Sequence, residues 1–488
     1  MTRPDMVRRL PDGIAPDPYR VVVKLFVPGE DDAMVRSRAA ALTARIEHLD
    51  EDATRAELKD TMRLFGDRHH DLEATFRHHF ELVRHRLSAA GELSPDACQL
   101  VGAYFSHEYS VEAAALCNPS MVAHPDQSGL AEGQLRVILS LRQIGEGHLS
   151  SIGFVSAVLG PGKKIEFADR SGPLAIGQRE SARHQRDLLA AGLTEEDRDD
   201  EVSGSVLDSL PEHFTDSELD QALHNIPPDL LTRPGAQHTV ELLRRVAATS
   251  YAVSFPDGIP LEQRVLWPIA PGESHGMEDA RFTLNAGEGL PYQATYTAYD
   301  GRTIGGRMLS TADFTHFEVA ALRGPGARNK GLALFPRPVG GDRFALCRSD
   351  GETLGLTTLG ASHQWDEPVL LHAPSRPWEL IQVGNCGSPL ETDEGWLVLT
   401  HGVGPMRRYA IGALLLDIDR PYRVIGELPG TLLEPAGSER EGYVPNVVYS
   451  CGALIHDGTL WLPYGASDHR IQIATVNLAG LLDSMLGR

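Results

Sequence analysis

The chain has 488 residues, which is too long for one ordinary compact core, although large repeat folds can exceed the usual domain size. Its 45 lysines and arginines stand against 67 aspartates and glutamates, a formal net charge of -22 that is spread over both halves. This balance excludes a general attraction to nucleic acid or to anionic membranes, so neither is expected as a partner. Any anionic ligand would need a local pocket of cationic side chains.

Targeting and redox features predict a reduced cytoplasmic protein. Residues 1–11 carry charges without an apolar run, which predicts no signal peptide, and no stretch approaches the ~18 apolar residues of a membrane span. The five cysteines are scattered, odd in number and without a Cys-x-x-Cys pair. This usage predicts neither a disulfide framework nor a zinc site.

The first 115 residues are predicted to form a mostly helical region. Residues 1–30 are interpreted as an irregular lead-in with a short strand at Val21–Leu25, and a helical pattern follows to residue 115. Apolar residues recur there at helical spacing: Leu42, Ile46 and Leu49, then Leu72, Phe76, Phe80 and Val83. The pairs His69-His70 and His78-His79 lie among arginines, with no partner at a familiar ligand spacing. We interpret them as a solvated helix face rather than a metal site.

Strand-like sequence begins near residue 116 and is interrupted by a second helical block at about 178–250. Thr215 can cap the amide of Glu218, Glu218 can reach back, and Phe214 can pack on Leu219, which together predict a helix start. Pro227-Pro228 predicts the end of that helix.

From about residue 250 to the end, the sequence predicts short strands joined by tight turns. Asp-Gly pairs at Asp300-Gly301, Asp350-Gly351 and Asp457-Gly458 are flanked by strand-like runs. Their intervals of about 45 to 60 residues fit one four-stranded blade per unit, and a two-sheet sandwich is the alternative. All five tryptophans follow residue 260, which suits a sugar site, although most are expected in the core.

Two adjacent carboxylates, Glu278 and Asp279, stand between a glycine and Arg281 at the start of a predicted strand. Neighbouring side chains of a strand point to opposite faces, so only one of the two is expected to face a given cavity. Arg281 could hold the other carboxylate or the loop. A carboxyl group there suits general acid catalysis if its surroundings raise its pKa. The alternative is a structural ion pair in a turn.

The segment 276–281, followed by Tyr296-Thr297-Ala298-Tyr299-Asp300, resembles glycoside hydrolase family 130, the β-mannoside phosphorylases and β-mannosidases. Segments 329–336, 395–403, 442–449 and 464–468 agree in order, and Asn118-Pro119 is similar to the start of the family's first blade. The resemblance covers about 115–480. It implies a mainly β fold, a five-bladed β-propeller over 116–488 with the helical insertion at 178–250 and an N-terminal helical arm at 1–115.

The resemblance also implies an inverting reaction in which Asp279 is the general acid and no metal or other cofactor takes part. In the family's phosphorylases the proton is thought to reach the glycosidic oxygen through a sugar hydroxyl. Inorganic phosphate, the co-substrate, then attacks the opposite face of the mannosyl ring and gives α-mannose 1-phosphate.

Phosphate needs several cations aimed at one point. The segment 302–330 holds five basic residues and two acidic ones, and its alternative interpretation is a solvated loop. Lys330 matches the family's lysine, whereas the family's arginine after the tyrosine-rich strand falls at Gly305 or Arg307. The phosphate ligands are therefore predicted to be Arg307, Arg328 and Lys330.

Other site residues follow from the same resemblance. If the enzyme is a hydrolase, Glu146 or Glu441 is the expected base, and it would need to lie roughly 6.5–9.5 Å from the acid. The remaining candidates are expected to contact the sugar: Asn118, His148, His275, Arg281, Tyr296, His401, Tyr443 and Asp468.

Three hypotheses stay open. The first is a cytoplasmic phosphorylase acting on a β-mannoside oligosaccharide, the second an inverting β-mannosidase that uses water, and the third a sugar-binding propeller without turnover. The helical segments could cover one mouth of the channel or build a homo-oligomer interface. Linkage, acceptor sugar, chain length and oligomeric state stay open as well.

Overall fold

The computed structural model describes residues 6–29, 32–86, 93–181, 183–285, 289–360 and 363–488. The chain divides into two compact units. The helical unit comprises residues 17–113 and 170–176, and the β unit comprises residues 1–16, 114–169 and 177–488. Of the lead-in predicted at 1–30, residues 1–5 and 30 lie outside the described residues.

The strands follow one another along the whole chain. In order they are β1 (Val7–Ile14), β2 (Val21–Leu25), β3 (Ser106–Ser110), β4 (Ala115–Ala123), β5 (Leu135–Ile144), β6 (Ser150–Gly160), β7 (Lys164–Phe167), β8 (Ala175–Ile176), β9 (Gln178–Glu180), β10 (His184–Gln185), β11 (His213–Phe214), β12 (Tyr251–Ser254), β13 (Arg264–Leu266), β14 (Gly276–Leu284), β15 (Tyr292–Tyr299), β16 (Ile304–Thr311), β17 (His316–Ala321), β18 (Ala333–Leu334), β19 (Phe344–Cys347), β20 (Leu354–Thr358), β21 (Val369–His372), β22 (Gln382–Asn385), β23 (Leu390–Thr392), β24 (Gly395–Val403), β25 (Tyr409–Leu416), β26 (Val424–Glu427), β27 (Val448–Tyr449), β28 (Leu454–His456), β29 (Thr459–Ala466) and β30 (Arg470–Asn477).

The α-helices fall in three groups: near the N-terminus, between residues 186 and 247, and at the C-terminus. They are α1 (Asp32–Glu47), α2 (Glu51–Phe65), α3 (Leu72–Val83), α4 (Pro95–Tyr104), α5 (Arg186–Glu195), α6 (Glu201–Ser209), α7 (Asp216–His224), α8 (Pro228–Leu231), α9 (Ala236–Ala247) and α10 (Leu478–Leu486).

The helical unit packs α1–α4 around one apolar core and also contains the antiparallel pair β2–β3. Asp71 caps α3 by accepting a hydrogen bond from the amide of Ala74 at 2.9 Å. The buried stripe of α3 follows the predicted spacing: Leu72, Phe76, Phe80 and Val83. The helical spacing predicted to run through Leu49 ends sooner, because α1 stops at Glu47 and Leu49 is exposed.

Each histidine pair is split between the interior and solvent, which corrects the expectation of a wholly solvated face. Nε2 of His69 lies 2.9 Å from Oε1 of Glu108, and Nδ1 of His79 lies 2.6 Å from Oγ of Ser106. Burial lowers the pKa of both rings, to about 4 for His79. The inner histidines therefore join the helices to β3 as neutral hydrogen-bonding groups.

The β unit consists of antiparallel runs of strands. Their orders are β4-β5-β6, β14-β15-β16-β17-β12-β9, β18-β19-β20-β21, β22-β24-β25-β26 and β27-β29-β30-β1. The first two runs meet in parallel where Gly276 pairs with Ser150. A side chain at Gly276 would lie 2.4 Å from Oγ of Ser150, and its φ is +133°, so only glycine suits this junction.

Strand β1 forms where the sequence predicted an irregular lead-in. It pairs with β30, and the register shifts between Arg9 and Gly13. Only Leu10 and Ile14 of β1 are buried, so its sequence lacks the apolar alternation by which a strand is recognised.

Helices α5–α9 lie within residues 186–247 of the predicted insertion, whereas residues 178–185 contain the short strands β9 and β10. The predicted helix start of α7 is present. Thr215 Oγ1 accepts from the amide of Glu218, and Glu218 accepts from the amide of Thr215 at 2.7 Å. Phe214 and Leu219 lie in the same apolar core.

The three predicted Asp-Gly turns join β15 to β16, β19 to β20 and β28 to β29, and each glycine has positive φ. Trp396 and Trp461 are buried in the core, as expected for most tryptophans. The fold is therefore mainly β with additional helices. Within the described ranges, none of the helices has both the length and the apolar character needed to cross a bilayer.

Candidate active site

Strand β14 carries a bulge at the two adjacent carboxylates. Its pairing with β15 shifts register between Glu278 and Arg281, and Asp279 has a φ of +59°. The bulge departs from the alternation expected of a regular strand, because both carboxylates contact one guanidinium group. Arg142 on β5 donates from Nη2 to Oε1 of Glu278 at 2.6 Å and from Nη1 to Oδ1 of Asp279 at 3.3 Å.

A second bulge faces the first. The pairing of β4 with β5 shifts between Cys117 and Ser120, and Asn118 within it has a φ of +48°. Nδ2 of Asn118 donates to Oδ1 of Asp279 at 2.5 Å. Positive φ strains a residue with a side chain, and such strain is typical of functional sites.

Two further cations complete the group. Lys330 donates from Nζ to Oε2 of Glu278 at 2.5 Å. Arg281 is 2% exposed and holds the bulge through its backbone, because Nη1 donates to the carbonyl oxygen of Asp279 at 2.8 Å. Its other nitrogens donate to the carbonyl of Cys386 and the hydroxyl of Tyr449. We call this set the Asp279 cluster: Asn118, Arg142, Glu278, Asp279, Arg281 and Lys330.

The neighbouring cations reverse the pKa shift that burial alone would give to Asp279. Burial raises the pKa of Asp279, but the charges of Arg142, Arg281 and Lys330 and the hydrogen bond from Asn118 outweigh it and lower the pKa to about 2. The carboxylate is therefore ionised at neutral pH in the ligand-free protein, whereas a general acid needs a raised pKa. An anion bound beside these cations would offset their charge and raise the pKa of Asp279.

His401 on β24 is buried and holds an arginine. Its Nδ1 lies 3.1 Å from the carbonyl oxygen of Asn385, which can only accept, so the proton is on Nδ1. Nε2 then accepts from Nη1 of Arg348 at 3.0 Å. Burial first, and then the charge of Arg348, keep the pKa of His401 well below its usual value. Nδ2 of Asn385 donates to the carbonyl of Gly331 at 2.9 Å, which connects this group to the segment before β18.

Asp468 lies in the turn between β29 and β30 with a φ of +44°. Burial raises its pKa to about 6; Arg142 opposes this rise and the Asp279 carboxylate adds to it. Of the other predicted sugar contacts, Tyr443 and His148 are exposed, and the tyrosine hydroxyl is hydrogen-bonded to Nδ1 of the histidine.

Tyr296 and His275 lie outside this arrangement. Tyr296 is 2% exposed, and its hydroxyl donates to Oε1 of Glu273 at 2.6 Å in the interior. A hydroxyl engaged in this way in the interior does not suit a contact with a sugar. His275 is exposed before β14, with its ring edge against Tyr299 at 5.9 Å.

The structure places the predicted bases at exposed positions and two predicted phosphate ligands in another cavity. Glu146 and Glu441 are exposed loop residues. Arg307 and Arg328 line a cavity of about 740 Å³, and no member of the Asp279 cluster lines it. Within the described ranges, no three His, Cys, Asp or Glu side chains lie close enough together to bind a metal ion.

Sequence reasoning missed Arg142, Arg348, Asn385 and Tyr449. Arg142 could have been noticed, because it interrupts the otherwise buried run of β5, where a charge requires a partner. Arg348, just after β19, gives a similar signal. Asn385 and Tyr449 act through bonds made at long sequence distance, which leave no local pattern.

A family model described as beta-1,4-mannooligosaccharide phosphorylase, glycoside hydrolase family 130, matches residues 256–486. A 1,2-beta-oligomannan phosphorylase of Thermoanaerobacter sp. (strain X514) is 30% identical over 239 residues, 48% of this chain and 79% of the relative. A beta-1,2-mannobiose phosphorylase of Listeria innocua is 28% identical over 232 residues, 46% of this chain and 64% of the relative.

Among solved structures, the beta-1,2-mannobiose phosphorylase of Listeria innocua in complex with beta-1,2-mannobiose aligns with a TM-score of 0.46 at 20% identity, over 78% of this chain and 94% of that one. The sequence relatives and the family model agree with the resemblance carried by the motif around Asp279. On this basis, the chain belongs to glycoside hydrolase family 130.

Proposed function

We propose that the chain is an inverting phosphorylase of β-mannosides, with Asp279 as proton donor and inorganic phosphate as nucleophile. The observation that carries this proposal is the buried carboxylate of Asp279, which lies among cations at a backbone bulge. Lys330 lies 2.5 Å from the adjacent carboxylate of Glu278. The relatives named above are phosphorylases of β-1,2-linked mannosides, and the description of the family model is that of a β-1,4-mannooligosaccharide phosphorylase. Both linkages are therefore candidates.

In the proposed reaction, the bond between the mannosyl anomeric carbon and the glycosidic oxygen breaks while a phosphate oxygen bonds to that carbon from the opposite face. The leaving oxygen takes a proton that originates on Asp279. The proton of the incoming hydrogen phosphate replaces it, so the products are α-mannose 1-phosphate and the free acceptor sugar. Lys330 and Arg348 are the proposed phosphate ligands, and Asn118, His148, Tyr443 and Asp468 the proposed sugar contacts.

Phosphate also solves the problem of the low pKa. A general acid must be protonated before it can act, and the cations around Asp279 keep it ionised in the free enzyme. A phosphate dianion beside Lys330 would offset those charges, so that burial then dominates and the carboxyl takes up a proton. Phosphate would thus supply the nucleophile and prepare the acid together.

We also propose that the β unit is a five-bladed β-propeller. Five antiparallel runs are present, and β1 completes the last by pairing with β30. The first strand of each run, or the loop before it, contributes to one polar region: Asn118, Asp279, Lys330, Asn385 and Tyr449. Convergence of first strands is the arrangement expected around a propeller axis. In this proposal, residues 116–488 form the catalytic domain, residues 1–115 are mostly a separate helical region, and the enzyme works in the cytoplasm.

The test is an end-point assay on the full chain with β-1,2- and β-1,4-mannobiose, each with and without inorganic phosphate. Phosphorolysis is expected to require phosphate and to release α-mannose 1-phosphate, with the α anomer identified by NMR. Equal cleavage without phosphate, with free mannose as the product, would instead establish hydrolysis, with Glu146 or Glu441 as the base to test. Binding without cleavage would leave a sugar-binding protein.

A further inference from the structure

A cleft of about 740 Å³ lies between the turn that joins β15 to β16, the segment 322–329, and helices α5 and α9 of the insertion. Five arginines line it against three acidic residues. One wall comes from the insertion, outside the 256–486 region that matches the family model. The cleft therefore combines residues of the matched region with residues of the insertion, and we call it the arginine cleft.

The acidic residues of the arginine cleft are already engaged. Glu195 lies 2.7 Å from Nη1 of Arg323, and Glu196 lies 3.3 Å from Nη2 of Arg245. The carboxylate of Asp300 accepts from the amides of its own turn at 2.8 and 2.6 Å. Three arginines have no carboxylate within salt-bridge distance in the parts of the chain that the structure describes: Arg302, Arg307 and Arg328.

Arg307 is the most telling of the three because it is only 7% exposed. Its Nε has no hydrogen-bond partner within the described residues, and Nη1 donates to the carbonyl oxygen of Gly306 at 3.0 Å. A side chain at Gly305 would lie 2.8 Å from Nη1, and one at Gly272 would lie 3.0 Å from Nη2. The two glycines leave the space that this guanidinium occupies on the wall of the cleft.

A nearly buried guanidinium is costly when no carboxylate of the described residues lies within salt-bridge distance, as is the case for Arg307. We propose that the arginine cleft binds a phosphate monoester, separately from the Asp279 cluster. Guanidinium groups bind phosphate through paired, charge-assisted hydrogen bonds, and a dianion would compensate three arginines better than a carboxylate could. The volume is in the range of small-molecule sites.

The test is isothermal titration of the full chain with glucose 6-phosphate as the probe, at constant ionic strength. Glucose serves as the uncharged control and potassium sulfate as the inorganic one. The double variant Arg302→Ala/Arg328→Ala removes two exposed members and spares the buried Arg307. Arg420→Ala/Arg423→Ala, in the loop before β26, removes the same charge elsewhere, and Lys330→Ala removes a cation from the Asp279 cluster.

We expect Kd for glucose 6-phosphate to rise roughly tenfold or more in the Arg302/Arg328 variant and to stay unchanged in the Arg420/Arg423 and Lys330 variants. The proposal is overturned if the Arg302/Arg328 variant binds as the wild type does. It is also overturned if Lys330→Ala abolishes binding, or if sulfate or glucose binds as tightly as the ester. None of these readouts depends on turnover, so failure here and failure of the proposed phosphorolysis are distinguishable.

Discussion

The Asp279 cluster and the arginine cleft are both rich in cations within an acidic chain, but they differ in how those cations are paired. Arg142 and Lys330 contact carboxylates at 2.5 to 2.6 Å, and their charge goes into fixing and ionising those carboxylates. Arg302, Arg307 and Arg328 have no such partner among the described residues. Pairing therefore separates cations that set the ionisation of the proposed general acid from cations that remain for a proposed ligand to neutralise.

Removing the central carboxylate should have the largest effect. We expect Asp279→Asn to lower kcat for mannobiose phosphorolysis roughly 10²–10⁴-fold, because the amide can still accept from Asn118 but has no acidic proton. Steady-state kinetics with circular dichroism measures this. Asp342→Asn, in the exposed turn before β19, is the matched control. If the Asp279→Asn enzyme keeps about a tenth or more of wild-type kcat, Asp279 is not the general acid.

The next largest effect is expected from replacing Arg348. Arg348 donates to neutral His401 and has no carboxylate partner within the described residues. We expect Arg348→Ala to raise KM for phosphate about 10- to 100-fold, since a charge-assisted hydrogen bond to the nucleophile is lost. KM for mannobiose should change much less. Arg423→Ala is the charge-matched control, and an equal rise in both KM values would assign Arg348 a purely structural role.

A smaller effect is expected in the pH profile. Burial raises the pKa of Asp279, and Arg142 is the strongest of the cations that lower it. Arg142→Gln should therefore raise this pKa and move the basic limb of the kcat profile, measured at saturating phosphate, to higher pH by about one unit. Arg142→Lys keeps the charge and should shift the limb less. Identical limbs in the two variants would mean that Arg142 does not set the ionisation of Asp279.

The sequence predicted those features that local physics determines. The cap at Thr215, the stripe of α3 and the Asp-Gly turns all depend on residues within a few positions of one another. The Glu278-Asp279 pair is noticeable in the local sequence, whereas the roles of Asp279 and Lys330 are implied by the resemblance, and the structure joins Lys330 to Glu278. The geometry of the pair was not predictable in this way, because alternation along a regular strand places the two carboxylates on opposite faces.

What could not be predicted depends on the register between distant strands. Arg142 lies 137 positions from Asp279, and it reaches both carboxylates because β4 and β14 each carry a bulge at a residue other than glycine. A positive φ at Asn118 or Asp279 is a weaker signal in the sequence than one at glycine, because asparagine and aspartate also adopt many other conformations. Arg307 and Arg328 show the converse limit. They were predicted to bind phosphate together with Lys330 because they are close to it in sequence, whereas in the fold they line the arginine cleft.

The smallest effect concerns stability and depends on Asp468. Burial raises its pKa to about 6, above the ordinary value of about 3.9, so folding favours the protonated form. The free energy of unfolding should therefore fall as pH rises from about 4 to 6 and stay lower above that range. Asp468→Asn removes this decline, so the variant should be more stable than the wild type at pH 8, by about 1–2 kcal/mol, and nearly equal at pH 4.

Urea unfolding at pH 4 and pH 8 measures this difference, with Asp342→Asn as the exposed control. A gain that is the same at both pH values would mean that packing rather than charge explains it. The Asp468 carboxylate also lies near enough to Asp279 to raise its own pKa through that charge, while Arg142 lowers it. A destabilising carboxylate kept beside the proposed acid is expected where sugar binding, rather than stability, requires it. The stabilised Asp468→Asn enzyme should accordingly bind mannobiose more weakly than the wild type.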